Sequence, residues 1–226
     1  MSAADITGRL ARYMVEARER GLPPDVAREA RHRILDTLAA MVSGAHLKPG
    51  EMAIKYARAQ GGIAEATVVT TDIRTTAVNA ALANAMFAHA DETDDFHPAT
   101  KAHPGCCVVP TALAMAEREG SSGTELLNAV TLGYDLCCRF LMALGADLVR
   151  ATHRSAEGTS STMGSVGAAA ALARLDEKGM RHALSYAAQQ VSGIWSWVRD
   201  AEHVEKAFDS RATPRARRKI RWTRRA

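Results

Sequence analysis

Residues 163–174 read MGSVGAAAALAR, and residues 75–90 read TTAVNAALANAMFAHA. These two small-residue runs constrain the fold more than any other part of the chain. Alanine is the best helix former, so both runs favour helix. Their side chains carry little bulk, so such a helix gains from packing only where another backbone comes close. Each run is therefore expected to be a helix enclosed on most sides within a tight helical assembly. Aromatic residues make up only 5% of the 226 residues, against 47% hydrophobic. The core must be filled by Ala, Leu, Val and Met.

The remaining pattern is also helical. Ile6, Leu10, Tyr13, Met14 and Ala17 share one face of a helix over 3–20 that Gly21 stops. Residues 22–44 start on Pro23 and Pro24, suited to a first turn, and end at Gly44. A third helix follows and closes on Gly61 and Gly62. EATVVTT, 65–71, is short and β-branched and predicts one isolated strand. The spacing predicts helices over 105–120 with an early Pro110, over 122–145 capped by Ser122 or Thr124, and over 179–193. Residues 146–162 read as irregular and polar. The expectation is an all-α bundle of about eight helices forming one domain over 1–209.

No apolar run reaches the roughly 18 residues that span a bilayer, so no membrane segment is expected. The N-terminus lacks an apolar h-region and a cleavage site, and Asp5, Glu16 and Glu19 argue against a transit peptide. Cysteines occur as two adjacent pairs, Cys106–Cys107 and Cys137–Cys138, which is not a C-x-x-C zinc spacing. They read as reduced, buried thiols of a cytoplasmic protein.

The formal charge of +4 hides an asymmetry. Residues 210–226, SRATPRARRKIRWTRRA, carry basic residues and no acid, and residues 1–209 are net acidic. The tail has no apolar period. It reads as a nucleic-acid-binding arm, as a disordered solubility segment, or as the product of a shifted reading frame.

Ionisable groups concentrate in AHADETDDFHPATKAHPGC, 88–106, which holds four acids, three histidines and a lysine just after a small-residue helix. Placed at one mouth of a bundle, His89, Glu92 and His103 can bind a small acid through charge-assisted hydrogen bonds and move a proton beside an activated carbon. Solvated, capping carboxylates are the bland alternative. Asp, Glu and His also suit a divalent ion, but H-E-x-x-H is absent, and no metal is expected.

The stretch from HADETDDFHPATKAHPGCCVVPTALAMAEREG to GYDLCCRF resembles the signature of the MmgE/PrpD family. THRSAEGTSSTMGSVGAAAALARL, AAQQVSGIWSW and EHVEKAFD resemble three later family segments in the same order. That family includes 2-methylcitrate dehydratase, cis-aconitate decarboxylase and iminodisuccinate epimerase. The resemblance implies a large helical domain that dimerises, a small polycarboxylate substrate, proton transfer next to a carboxylate, and no required metal or organic cofactor. It implies catalytic roles for Glu92, His103, His153 and Lys206, with His89, Asp95 and His97 holding substrate, and Asp94 and Asp95 shaping the loop. Where relatives often carry Thr, this chain has Phe96 followed by His97, which weakens the decarboxylase-like and dehydratase-like readings, and HADETDD with HPGC is more similar to the bacterial branch near the epimerase. Relatives run to about twice this length, and after the EKAFD motif they continue with a glycine-containing stretch. The tail departs from that pattern at the same residue where composition changes. This favours the shifted-frame reading over nucleic-acid binding and implies a chain that is inactive by itself.

Overall fold

In the computed structural model, residues 5–191 and 199–209 are described. The basic tail, 210–226, and the GIWSW part of the AAQQVSGIWSW segment lie outside them. The helices are α1 (Ile6–Glu19), α2 (Pro24–Gly44), α3 (Lys48–Gln60), α4 (Ala77–Ala88), α5 (Gly105–Glu119), α6 (Gly123–Leu144), α7 (Ala146–Ala151), α8 (Ala156–Leu172), α9 (Glu177–Gln190) and α10 (Val204–Asp209). Two two-residue strands, β1 (Ala66–Thr67) and β2 (Arg74–Thr75), pair antiparallel. The fold is all-α, as expected.

The small-residue helices form its centre. α8 packs along α6, and α4 packs on α5, α2 and α3. Glycine makes the α6–α8 crossing possible. A Cβ on Gly133 would stand 2.5 Å from Val108 Cγ1 and 3.0 Å from the Gly164 carbonyl oxygen, and one on Gly164 2.8 Å from both Cys137 Cβ and the Gly133 carbonyl oxygen. Phe87, Met14, Met41, Met115, Leu141, Leu172 and Met180 fill what alanine leaves.

Local signals explain the ends. Ser122 and Glu125 form a reciprocal capping box at the start of α6, and Gly120 ends α5 in a left-handed turn. α6 alone among the described helices is long and apolar enough to cross a membrane, and its packing on α8, α5 and α2 accounts for its apolar faces.

Three expectations need correction. The isolated strand is one half of a two-stranded ribbon. Residues 146–162 are largely helical, holding α7 and the first turns of α8. Their hydroxyls turn inward and satisfy themselves on the helix: Thr159 Oγ1 donates to the Ser155 carbonyl at 2.8 Å and Thr162 Oγ1 to that of Gly158 at 2.8 Å. α9 ends at Gln190, short of the expected 193, and the residues beyond Val191 are outside the described set.

Candidate active site

The loop between α4 and α5 begins where α4 ends at Ala88 and closes where α5 begins at Gly105. Its geometry rests on two acids, half-buried Asp95 and buried Asp94. Asp95 accepts from the backbone N–H of Gly105 at 2.8 Å and from the Tyr134 hydroxyl at 2.8 Å. Gly105 must be glycine here, because a Cβ would lie 2.6 Å from Thr37 Oγ1 and 2.7 Å from Asp95 Oδ1. Burial raises the Asp95 carboxyl despite these two bonds. Burial also raises the Tyr134 hydroxyl, and the Asp95 charge adds to this, so the tyrosine remains a donor. With both oxygens engaged, Asp95 fastens the loop.

Asp94 is the second anchor and the centre of the cluster. Its side chain is fully buried. Both of its oxygens meet His89 Nδ1, at 3.0 and 3.1 Å, and Oδ2 lies 3.3 Å from His103 Nδ1. The Cys106 thiol also lies against this carboxylate. Burial opposes its charge, but the hydrogen bonds and charges of His103 and His89 outweigh burial and hold Asp94 well below the usual carboxylate range. In return His103 is raised: burial lowers it, while the bond and charge of Asp94, helped by Glu157 and Asp95, raise it further.

The two histidines differ in access. The His89 side chain is fully buried, whereas 19% of the His103 side chain reaches solvent. The rings meet edge to face at 5.0 Å, and Phe96 closes the other side of His103 at 5.6 Å. His89 therefore supports the carboxylate from behind, and its side chain does not reach solvent. His103 is the group that faces outward, backed by a buried anion that favours its charged form.

A second cluster forms across the chain. α10 packs on α4 and α3 and carries Lys206 to the loop. Lys206 Nζ pairs with Glu92, whose Oε1 also lies 3.1 Å from His203 Nε2. Burial lowers the Lys206 ammonium. Glu92 and His203 both hold positive φ, 55° and 57°, a conformation that costs non-glycine residues about 1–3 kcal/mol and concentrates at functional sites.

The other two assignments are not part of either cluster. His97 is half-buried, with Nδ1 2.8 Å from Thr100 Oγ1 and its backbone N–H bonded to Ala102, so it shapes the loop. His153 is exposed on the turn after α7 at φ 58°, and among the described residues no hydrogen bond or ion pair ties its side chain to the loop.

The sequence alone did not single out Cys106, Tyr134, His203 or the pair Arg150–Glu157. Glu157 is buried at the start of α8 and takes a 2.7 Å ion pair from Arg150, which also donates to the Thr100 carbonyl. The adjacent HPGC and EHVEK motifs were the only available signals for Cys106 and His203. His89, Asp94 and Cys106 also form the one grouping of potential metal ligands among the described residues.

Arranged this way, the site offers an outward imidazolium, a partly buried ammonium and a strained carboxylate, suited to binding an anion and moving a proton beside it. Residues 8–219 match the model of the MmgE/PrpD N-terminal domain. The chain is 28% identical over 221 residues to a cis-aconitate decarboxylase-like protein of Aspergillus oryzae, covering 92% of this chain and 45% of that protein. It is 26% identical over 181 residues to a cis-aconitate decarboxylase of Aspergillus terreus, covering 77% of this chain and 37% of that protein. The chain thus spans less than half the length of the curated relatives it matches.

Proposed function

Since the chain belongs to the MmgE/PrpD family, with relatives of lyase type, we propose that it supplies the proton-handling wall of a lyase site for a small polycarboxylate. One observation carries this reading: buried Asp94 stands 3.3 Å behind solvent-reaching His103 Nδ1, which favours the charged imidazole. The imidazolium receives one substrate carboxylate, and Lys206 receives another as a point charge. Binding draws Lys206 from Glu92, and the freed carboxylate faces the carbon next to the bound acid.

The step common to the family's reactions follows from these roles. A base takes a proton from, or an acid returns one to, the carbon adjacent to a carboxylate. In decarboxylation, the C–C bond breaks, carbon dioxide leaves, and its electron pair moves onto the conjugated acid until His103 returns a proton to carbon. In dehydration, Glu92 takes the carbon-bound proton and His103 protonates the departing hydroxyl. General acid–base help of this kind contributes about 10²–10⁴-fold. The relatives' names favour the first outcome. Phe96 beside His103 stands where relatives often present Thr, which weighs against both and towards reprotonation of the same carbon, as in an epimerase. The activity belongs to a protein of the relatives' full length, and residues 1–226 alone are expected to bind but not to turn over. The protein is proposed to be a cytoplasmic homodimer.

Melting in the presence of citrate-like tricarboxylic acids tests the reading. A ligand at about 100 times its Kd stabilises by about 2.7 kcal/mol, so the melting point should rise with acid concentration. Lys206→Gln and His103→Asn should each flatten that rise. Equal shifts with sulfate at the same ionic strength would defeat it.

A further inference from the structure

The turn that leads into His103, residues 97–102, is closed by short-range bonds. The His97 N–H donates to the Ala102 carbonyl at 2.8 Å, and the Lys101 N–H donates to the His97 carbonyl at 2.7 Å. Thr100 Oγ1 lies 2.8 Å from His97 Nδ1 and accepts from the Ala102 N–H at 3.3 Å. Lys101 holds φ 58° in this turn, a left-handed conformation that a residue with a Cβ keeps only where its surroundings fix it. A grip from outside the loop comes from α7. Arg150 Nη2 donates to the Thr100 carbonyl at 3.2 Å, and the same nitrogen donates to Glu157 Oε1 at the start of α8, at 2.7 Å. Beside it, buried Ala102 packs with Cys137, Leu141 and Ala156, and Val149 of α7 packs against the same group. We propose that Arg150 is a positioning residue for His103, seating the 97–102 turn against α7 and α8, with Glu157 as its counter-ion.

Three observations support it. Both side chains of the pair are only 11% exposed, so the guanidinium needs a neighbouring anion to stay in this position. The pair is also not arranged for its own strength. A bidentate contact between arginine and a carboxylate uses two nitrogens and two oxygens. Here Nη2 serves both Glu157 and Thr100, and Arg150 Nη1 and Glu157 Oε2 are buried without a hydrogen bond, Nη1 standing 3.7 Å from the exposed Asp147 carboxylate. Finally, the grip lands next to the chemistry. Ala102 is followed directly by His103, and Glu157 adds to the negative charge that favours the protonated form of His103. Among the described residues Arg150 donates hydrogen bonds to the turn and to Glu157 and none to His103, so it acts on that histidine through the turn.

Amide hydrogen exchange in the 226-residue chain tests the seating without any ligand. Arg150→Met combined with Glu157→Leu removes both buried charges at similar volume, a replacement that buried ion pairs commonly tolerate. Protection of the His97, Lys101 and Ala102 amides should fall by at least about tenfold, as expected for a lost hydrogen bond from a charged donor, while that of α4 and α5 holds. Arg150→Lys alone keeps a charged donor on a long stem and should recover part of the protection. Unchanged protection of the turn in the double variant overturns the proposal. An equal fall in α4 and α5 also overturns it, because the pair then holds the domain and not the turn.

The consequence for binding rests on the proposed function; the seating does not. In titration with citrate-like tricarboxylic acids, the double variant should bind at least about tenfold more weakly than the parent, since small misplacements of a binding group are costly. The same two changes added to His103→Asn should cost nothing further, because Arg150 acts through His103. Unchanged affinity, or losses that add, overturns that route. A parent chain that binds no acid counts against the proposed function, and the exchange result then decides the seating by itself.

Discussion

Replacing Asp94 by Asn removes the charge on which the cluster is built and keeps its shape. The cost is expected to depend on pH, and the direction follows from the two shifted groups. His103 is raised in the folded chain, so its pairing stabilises fully below the ordinary histidine value of 6.5 and is lost as pH rises through the raised value. Asp94 is lowered from 3.8, so its contribution is present above that value and is lost as pH falls well below it. Between these limits the ion pair is intact. Breaking a buried pair costs about 3–5 kcal/mol, so Asp94→Asn should lose that much near pH 6, which a domain holding about 5–15 kcal/mol can survive. At a pH above the raised His103 value, where the imidazole is neutral, only ordinary hydrogen bonds are exchanged and the loss should shrink to about 1–2 kcal/mol. Urea unfolding of both proteins at the two pH values measures the difference. An equal loss at both would refute the charged pairing of His103 with Asp94.

Two packing predictions accompany it. Gly105→Ala forces a methyl group against Thr37, Asp95 and Tyr134, at 2.6, 2.7 and 2.9 Å; it should cost about 1–3 kcal/mol in urea unfolding and loosen the loop enough to lower tricarboxylate affinity. Gly164→Val should separate α6 from α8, because its Cβ would already meet Cys137 Cβ at 2.8 Å; a melting point lowered by several degrees is expected, while the same change at exposed Gly123, where a Cβ meets nothing within 4 Å, should be felt only as helix propensity.

The helical fold was legible because its dominant signal is compositional. Runs such as MGSVGAAAALAR leave few alternatives to close helix packing, and Gly133, Gly164 and Gly167 sit at the crossing that packing requires. What escaped was short or tertiary. Two-residue strands carry no period to detect. The polar segment before α8 looked like a loop because Ser and Thr usually compete with helix, yet here burial leaves their hydroxyls only helical carbonyls to bond. In the site, the sequence located the ionisable loop but not its division of labour. Nothing local distinguishes Asp94, which gathers two histidines, from Asp95, which pins Gly105 and Tyr134. The meeting of Glu92 with His203 and Lys206 depends on α10 docking against α4, which no local pattern encodes.

The proposed role of His103, backed by Asp94, is to move the proton next to a substrate carboxylate. Its most direct measurement is product formation from cis-aconitate and related small polycarboxylates, followed by NMR across pH for the full-length protein and for His103→Asn. Turnover in the parent should decline as pH rises through the raised His103 value, and the variant should lose at least about 100-fold. Turnover that survives in His103→Asn with the parent's pH profile would contradict it.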